Sequence, residues 1–124
     1  PQKLLVIDDD PQVHDLLHRM LPQETYQLAF ASSGQEGLLT AEAYQPDIIT
    51  LDVMMPEQDG WSVLHSLKDS DALCDIPVVL LTIVDETKKA KAMGAAELVT
   101  KPFDRERLVS ALARAAASKK QPLR

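Results

Sequence analysis

Acidic, hydroxyl and basic side chains stand where the short apolar runs of this 124-residue chain end. Asp8 and Asp9 follow the first run, Asp52 follows the third, Thr82 ends the fourth and Lys101 comes just after the fifth. If these runs are neighbouring strands of a parallel sheet, their carboxyl ends meet at one edge. The polar residues then form a single site that holds several carboxylates, one hydroxyl and one ammonium.

This set of side chains is suited to holding a phosphoryl group. Carboxylates packed closely repel one another and need a counter-charge, of which Lys101 supplies one positive charge and a divalent cation would supply two. All the candidate ligands are oxygens, which favours Mg²⁺. An aspartate can act as the nucleophile, while the cation and the lysine neutralise the phosphoryl oxygens. The chain carries no glycine-rich nucleotide motif, so the phosphoryl donor must be another molecule.

The elements that position these residues follow from the alternation of two apolar patterns. Continuous apolar runs predict strands, and the stretches between them have helical spacing, such as Val13, Leu17 and Leu21. Five strands and five helices in strict alternation predict an α/β fold, a flavodoxin-like (βα)5 doubly wound parallel sheet of strand order 2-1-3-4-5. The predicted strands cover residues 4–7, 26–31, 48–51, 78–82 and 98–100.

Several polar residues predict where the helices begin and end. Asp10 is the predicted cap of the first helix, and Ser33 caps the second with Glu36 at capping-box spacing. Gly94 is the predicted stop of a helix that begins near Asp85.

Length and composition indicate one globular domain. The chain is 45% hydrophobic and 26% charged, and its single cysteine, Cys74, excludes an internal disulfide and fits a reducing compartment. The net charge of −6 argues against direct nucleic-acid contact, and no segment resembles a membrane span or a secretory leader. We therefore expect a cytoplasmic domain over residues 1–118 with no membrane contact, and a tail or linker stub over residues 119–124.

Four motifs in this order resemble the receiver domain of two-component response regulators. The resemblance covers about residues 3–116. It is carried by residues 4–11, by 52–56 with Asp59-Gly60, by 81–82, and by 94–95 with 100–103. Residues 81–85 and 104–108 look most like receivers attached to hybrid sensor histidine kinases.

The resemblance implies a Mg²⁺ site and a phosphoacceptor. Asp52 matches the phosphoacceptor aspartate. Asp9 and Asp52 match direct Mg²⁺ ligands, Asp8 matches a residue that acts through water, and the backbone carbonyl of Met54 completes the set. Asp10 matches a variable position and is not expected to be a ligand.

The resemblance also implies a donor and two groups that contact the phosphoryl group. Thr82 matches the hydroxyl that bonds a phosphoryl oxygen, and Lys101 matches the lysine that pairs with it. The Lys101–Pro102 bond matches a cis peptide. The implied partner is a histidine kinase or a histidine phosphotransfer protein, which donates from phosphohistidine, and we expect a monomer that catalyses only its own phosphorylation and dephosphorylation.

Two positions depart from the family pattern. Ile83 stands where the family usually has a small residue beside the phosphoryl site, so it is predicted to narrow access. Leu98 stands where the family often has an aromatic ring that changes rotamer on phosphorylation. These two residues bear on how the domain transmits its phosphorylation state to a partner. They do not bear on its ability to accept a phosphoryl group.

Three alternatives stay open at this stage. A degenerate receiver would act only as a protein-interaction module, although the complete set of site residues argues against it. A haloacid-dehalogenase-type phosphatase would use Asp8 and Asp10, but the residues that follow do not continue its motif. A zinc site at His14 and His18 is disfavoured because no third ligand is evident and both side chains are predicted to face outward.

Overall fold

The computed structural model describes residues 1–56 and 58–119, in which the five predicted strands alternate with five helices and one short hairpin is added. The elements run in the order β1 (Gln2–Ile7), α1 (Pro11–Met20), β2 (Tyr26–Ala31), α2 (Gly34–Tyr44), β3 (Ile48–Leu51), β4 (Met54–Met55), β5 (Gln58–Asp59), α3 (Gly60–Asp69), β6 (Val78–Thr82), α4 (Thr87–Ala92), β7 (Glu97–Thr100) and α5 (Arg105–Lys119).

Five of the strands form one parallel sheet in the order β2-β1-β3-β6-β7. Because β4 and β5 form a separate two-stranded sheet, this order is the predicted 2-1-3-4-5 counted over the strands of the main sheet. The predicted doubly wound fold is therefore confirmed, and all five carboxyl ends lie at the same edge.

The strands are apolar on both sides because each face of the sheet is covered by helices. On one face, Leu5, Ile7 and Leu51 pack with residues of α2 and α3. On the other face, Leu4 and Val6 pack with residues of α1 and α5. The core thus consists of two apolar layers, one on each side of a sheet whose central strands are almost fully buried.

The predicted helix ends are largely confirmed. Asp10 Oδ1 accepts a hydrogen bond from the Gln12 N–H at 2.9 Å, and Ser33 Oγ accepts one from the Glu36 N–H at 3.1 Å. Gly94 follows α4 with a φ of +95°, a conformation in which a residue with a Cβ is strained.

The start of α4 agrees with the prediction to within two residues. The helix begins at Thr87, two residues after Asp85. The Thr87 hydroxyl donates to the Asp85 carboxylate at 3.1 Å, so Asp85 forms a local turn before the helix rather than its first turn.

A short antiparallel hairpin of β4 and β5 follows β3, and the sequence analysis did not predict it. Two-residue strands are too short to produce an apolar alternation. At the open end of the hairpin, the Gly60 N–H donates to the Val53 carbonyl at 3.2 Å. A Cβ on Gly60 would lie 2.1 Å from Val53 Cα, so this approach requires glycine.

The predicted tail over residues 119–124 lies outside the described residues except for Lys119, the last residue of α5. Of the helices found in residues 1–56 and 58–119, none is both long enough and apolar enough to cross a membrane.

Candidate functional site

The register of the central strands places Asp8 beside Asp52. Ile7 of β1 pairs with Leu51 of β3, and each is followed by its aspartate. The Asp52 N–H donates to the Ile7 carbonyl at 3.1 Å, which continues the pairing by one residue. Asp8 is 2% exposed and Asp52 is 7% exposed, so two carboxylates lie in a largely dry setting at the edge of the sheet.

Asp9 completes an acidic cluster at this edge. One carboxylate oxygen from each of Asp8, Asp9 and Asp52 lies within 4.8 Å of the others. Asp9 itself is exposed and therefore lies on the solvent side of the cluster. Three carboxylate oxygens with one open side suit Mg²⁺, which prefers oxygen ligands and retains several waters.

The Lys101 ammonium lies between the two buried carboxylates. Its Nζ is 3.0 Å from Asp8 Oδ2 and 3.1 Å from Asp52 Oδ2. Burial lowers the pKa of Lys101, but the hydrogen bonds and negative charges of Asp8 and Asp52 outweigh it, so its pKa lies above the ordinary value. Lys101 therefore carries a positive charge at neutral pH.

The pKa of Asp8 is raised as well, but here burial is the cause that prevails. Burial raises the pKa of Asp8 above its ordinary value, although the Asp10 N–H and Lys101 act to lower it. The Asp10 N–H donates to Asp8 Oδ1 at 2.9 Å, while the side chain of Asp10 caps α1. The group of neighbouring carboxylates found in the described residues consists of Asp8, Asp9 and Asp52.

Thr82 ends β6 on the other side of β3. It is fully buried, and its Oγ accepts a hydrogen bond of 3.4 Å from the Val84 N–H. Thr82 pairs with Thr100 of β7, and its carbonyl accepts from the Lys101 N–H at 2.9 Å. This pairing fixes the backbone of Lys101 at the site, and the Lys101–Pro102 peptide bond is cis, as the resemblance implied.

The Asp52 carboxylate also holds the loop that follows it in the chain. The Met54 N–H donates to Asp52 Oδ1 at 2.9 Å, while the Met54 side chain is 52% exposed. Ile83 is 68% exposed, so the residue predicted to narrow access has most of its side chain in solvent.

Comparison with known proteins identifies the family to which this chain belongs. Residues 4–113 match the sequence model of the response regulator receiver domain. The chain belongs to the response regulator receiver family. It is thus a receiver domain of the kind found in two-component signalling, and the phosphatase interpretation is not supported.

Curated proteins that are similar to this chain include response regulators. The receiver domain is 36% identical over 111 residues to the DNA-binding dual master transcriptional regulator RpaA of Synechocystis, covering 87% of this chain and 46% of that protein. It is 40% identical over 105 residues to the response regulator PleD of Caulobacter vibrioides, covering 82% of this chain and 23% of that protein. The receiver domain thus spans less than half the length of both relatives.

Solved structures of receiver domains share the whole fold. The receiver domain of a signal transduction histidine kinase from Syntrophus aciditrophicus matches with a TM-score of 0.85 and 30% identity, covering 99% of this chain and 96% of the other. The chemotaxis response regulator CheY4 of Vibrio cholerae matches with a TM-score of 0.83 and 28% identity, covering 92% and 98%.

The sequence analysis missed one residue next to the site of the receiver domain. His14 was predicted to face outward, but it is half-buried, and its Nε2 lies 2.7 Å from the Asp8 carbonyl oxygen. Its ring stacks on Phe30 of β2, a contact that helical periodicity alone does not reveal. His18 is exposed, as predicted. In the described part of the chain, neither histidine belongs to a group of possible metal ligands, so the zinc hypothesis finds no support.

Proposed function

We propose that this receiver domain accepts a phosphoryl group on Asp52 from a phosphohistidine, in a reaction that requires Mg²⁺. The observation that carries the proposal is the position of the Asp52 carboxylate, buried beside two further carboxylates and 3.1 Å from the Lys101 ammonium. Clustered ionisable groups of this kind in a largely buried setting are typical of functional sites.

The transfer conserves atoms and charge in a single displacement. A carboxylate oxygen of Asp52 attacks the phosphorus, a P–O bond forms, and the P–N bond to the imidazole of the donor breaks. The bonding electron pair stays on the imidazole nitrogen. The donor is the phosphohistidine of a histidine kinase or of a histidine phosphotransfer protein.

The acidic cluster would hold the cation. Asp9 and Asp52 would bind Mg²⁺ directly, the Met54 carbonyl would be the third protein oxygen on the cation, and Asp8 would act through water. When bound, Mg²⁺ supplies positive charge that offsets the carboxylates and the phosphoryl oxygens. Asp8 also orients Lys101, because the two side chains form an ion pair of 3.0 Å.

Lys101 and Thr82 would contact the transferred group. The Lys101 ammonium already lies beside Asp52 and would pair with a phosphoryl oxygen once the Asp52 charge is esterified. Among the described residues, the Thr82 hydroxyl accepts one long hydrogen bond, so its proton can turn toward a phosphoryl oxygen. These two residues would order the loop after β6 around the phosphorylated site.

The domain would act as a switch or relay station in phosphorelay signalling. Residues 1–118 would form the folded phosphoacceptor unit. A place in a hybrid sensor kinase is one setting for it, since the Syntrophus receiver that matches this chain belongs to a histidine kinase. We expect the isolated domain to be a monomer.

Labelling with a small acyl phosphate tests the acceptor. Wild-type protein incubated with Mg²⁺ and the donor should gain one acid-stable, base-labile phosphoryl group, and Asp52→Asn should gain none. Asp59→Asn is the matched control, because Asp59 is an exposed cap of α3 and its side-chain oxygen can be replaced by an amide oxygen. Full labelling of Asp52→Asn would refute the assignment.

Titration with beryllofluoride and Mg²⁺ separates this proposal from a degenerate receiver. A phosphoacceptor should bind the analogue at Asp52 and change the amide NMR shifts of Thr82 and Lys101. A module that acts only by protein contact should show no saturable change at these positions.

A further inference from the structure

We infer that His14 is a positioning residue for the Mg²⁺ site, acting through the Asp8–Asp9 peptide group. The inference rests on the proposed function, since it concerns the same acidic cluster. It starts from one contact: His14 Nε2 lies 2.7 Å from the carbonyl oxygen of Asp8.

The direction of this hydrogen bond follows from its acceptor. A carbonyl oxygen can only accept, so Nε2 of His14 carries the proton and donates it. The ring is half-buried and stacked on Phe30, with centroids 4.7 Å apart and an angle of 23° between the planes. Both features hold the imidazole in one orientation over the end of β1.

The hydrogen bond controls more than the Asp8 carbonyl. A peptide group is planar, so the carbonyl of Asp8 and the Cα atoms of Asp8 and Asp9 lie in one plane. The Asp8 N–H is fixed separately by the Ala31 carbonyl at 3.0 Å. With one end of the residue held by β2, the donor from His14 sets the rotation of the plane and therefore the position of Asp9.

Asp9 depends on this restraint more than the other carboxylates do. The Asp8 carboxylate is held by the Asp10 N–H and Lys101, and the Asp52 carboxylate by the Met54 N–H and Lys101. Within the described residues, the exposed Asp9 carboxylate receives no comparable hydrogen bond. Its distance from Asp52 is therefore set by the backbone that His14 anchors.

Three substitutions separate the hydrogen bond from the packing of the ring. His14→Phe keeps a ring on Phe30 and removes the donor, so Mg²⁺ should bind roughly tenfold more weakly. His14→Gln keeps an N–H donor and loses the ring, so it should bind Mg²⁺ more tightly than His14→Phe. Phe30→Leu keeps the donor but removes the ring that helps to orient it, so it should melt at a lower temperature and lose less Mg²⁺ affinity than His14→Phe.

The measurements are Mg²⁺ titration calorimetry, the melting temperature in chelator, and labelling by a small acyl phosphate across a Mg²⁺ series. In His14→Phe the Mg²⁺ concentration at half-maximal labelling should rise, while the rate at saturating Mg²⁺ stays near that of wild type. The inference is overturned if His14→Phe binds Mg²⁺ like wild type, if His14→Gln binds as weakly as His14→Phe, or if Phe30→Leu loses as much affinity. Wild-type protein that neither binds Mg²⁺ nor becomes labelled would overturn the proposed function itself, and the role of His14 with it.

Discussion

The Lys89 ammonium lies over the indole of Trp61, 4.3 Å from the ring centroid. Trp61 stands in the first turn of α3 and packs partly against the core, whereas Lys89 is exposed on α4. This cation–π contact joins the helix that follows the β4–β5 hairpin to the short helix that follows Thr82. The segments that follow Asp52 and Thr82 in the chain are thus linked through α3 and α4, at a distance from the candidate site.

Loss of this contact should lower stability measurably. Lys89→Ala is expected to reduce the free energy of unfolding by about 0.5–1 kcal/mol, because an exposed cation–π pair contributes about that much. Lys88→Ala is the matched control, since Lys88 is the neighbouring exposed lysine of the same helix. Urea denaturation followed by the fluorescence of Trp61, the single tryptophan, measures both variants. Equal losses in the two variants would contradict the prediction.

Mg²⁺ should stabilise the folded domain by mass action. The unfolded chain has no preformed site, so a free concentration of about 100 Kd should add about 2.7 kcal/mol to the free energy of unfolding. Asp9→Ala should abolish the increase, because it removes one of the three clustered carboxylates. Thermal denaturation with and without millimolar Mg²⁺ measures the effect, and Asp10→Ala serves as the control outside the cluster. A wild-type melting temperature that ignores Mg²⁺ would count against the site.

The pH dependence of the metal-free domain should reflect Asp8. Burial raises the pKa of Asp8 in the folded state, so its protonated form is favoured there. The resulting stabilisation is present below the ordinary pKa of an aspartate and is lost as pH rises through the raised pKa. In chelator, Asp8→Asn should therefore be more stable than wild type at pH 7, and the difference should shrink on acidification. Melting temperatures between about pH 4 and pH 7 test this, and a constant difference would be the opposite result.

The aspartyl phosphate should be long-lived. Hydrolysis needs a water in line with the Asp52 phosphoryl bond, and by resemblance the residues two positions after Asp52 and Thr82 influence that water. Here these are Met54 and Val84, neither of which orients water well. Loss of label after donor removal should be slower in wild type than in a Met54→Asn, Val84→Glu double variant. Faster loss in wild type would refute the prediction, and the effect of the exposed Ile83 on access is tested in the same assay with Ile83→Ala.

The change that reaches α4, β7 and α5 on phosphorylation should be weak. Leu98 packs partly against the core and offers no ring to exchange between buried and exposed positions. A ligand shifts an equilibrium only by its differential interaction with the two states, and leucine provides little of it. Amide NMR shifts with beryllofluoride and Mg²⁺ should therefore be large near Thr82 and small around Leu98 and Arg107. Large shifts at Leu98 together with dimerisation on activation would show that loop reordering carries the signal instead.

The sequence by itself determined the sheet, its strand order and the edge at which the polar residues meet. Strands of a parallel sheet are covered on both faces, so they read as continuous apolar runs, and one residue past each run is enough to locate Asp8 and Asp52. Side-chain type then restricts the chemistry, because only oxygen ligands and one ammonium are present at that edge.

Only the tertiary structure decided how those groups are held. His14 contacts the Asp8 carbonyl while its ring is stacked on Phe30 of β2. Helical periodicity along α1 cannot predict a contact with a residue of another element. The β4–β5 hairpin depends on the close approach of Gly60 to Val53, and its strands are too short to leave a pattern. Contacts of this kind arise from distances and rotamers of segments brought together by folding, so they become visible only when the packed chain is described.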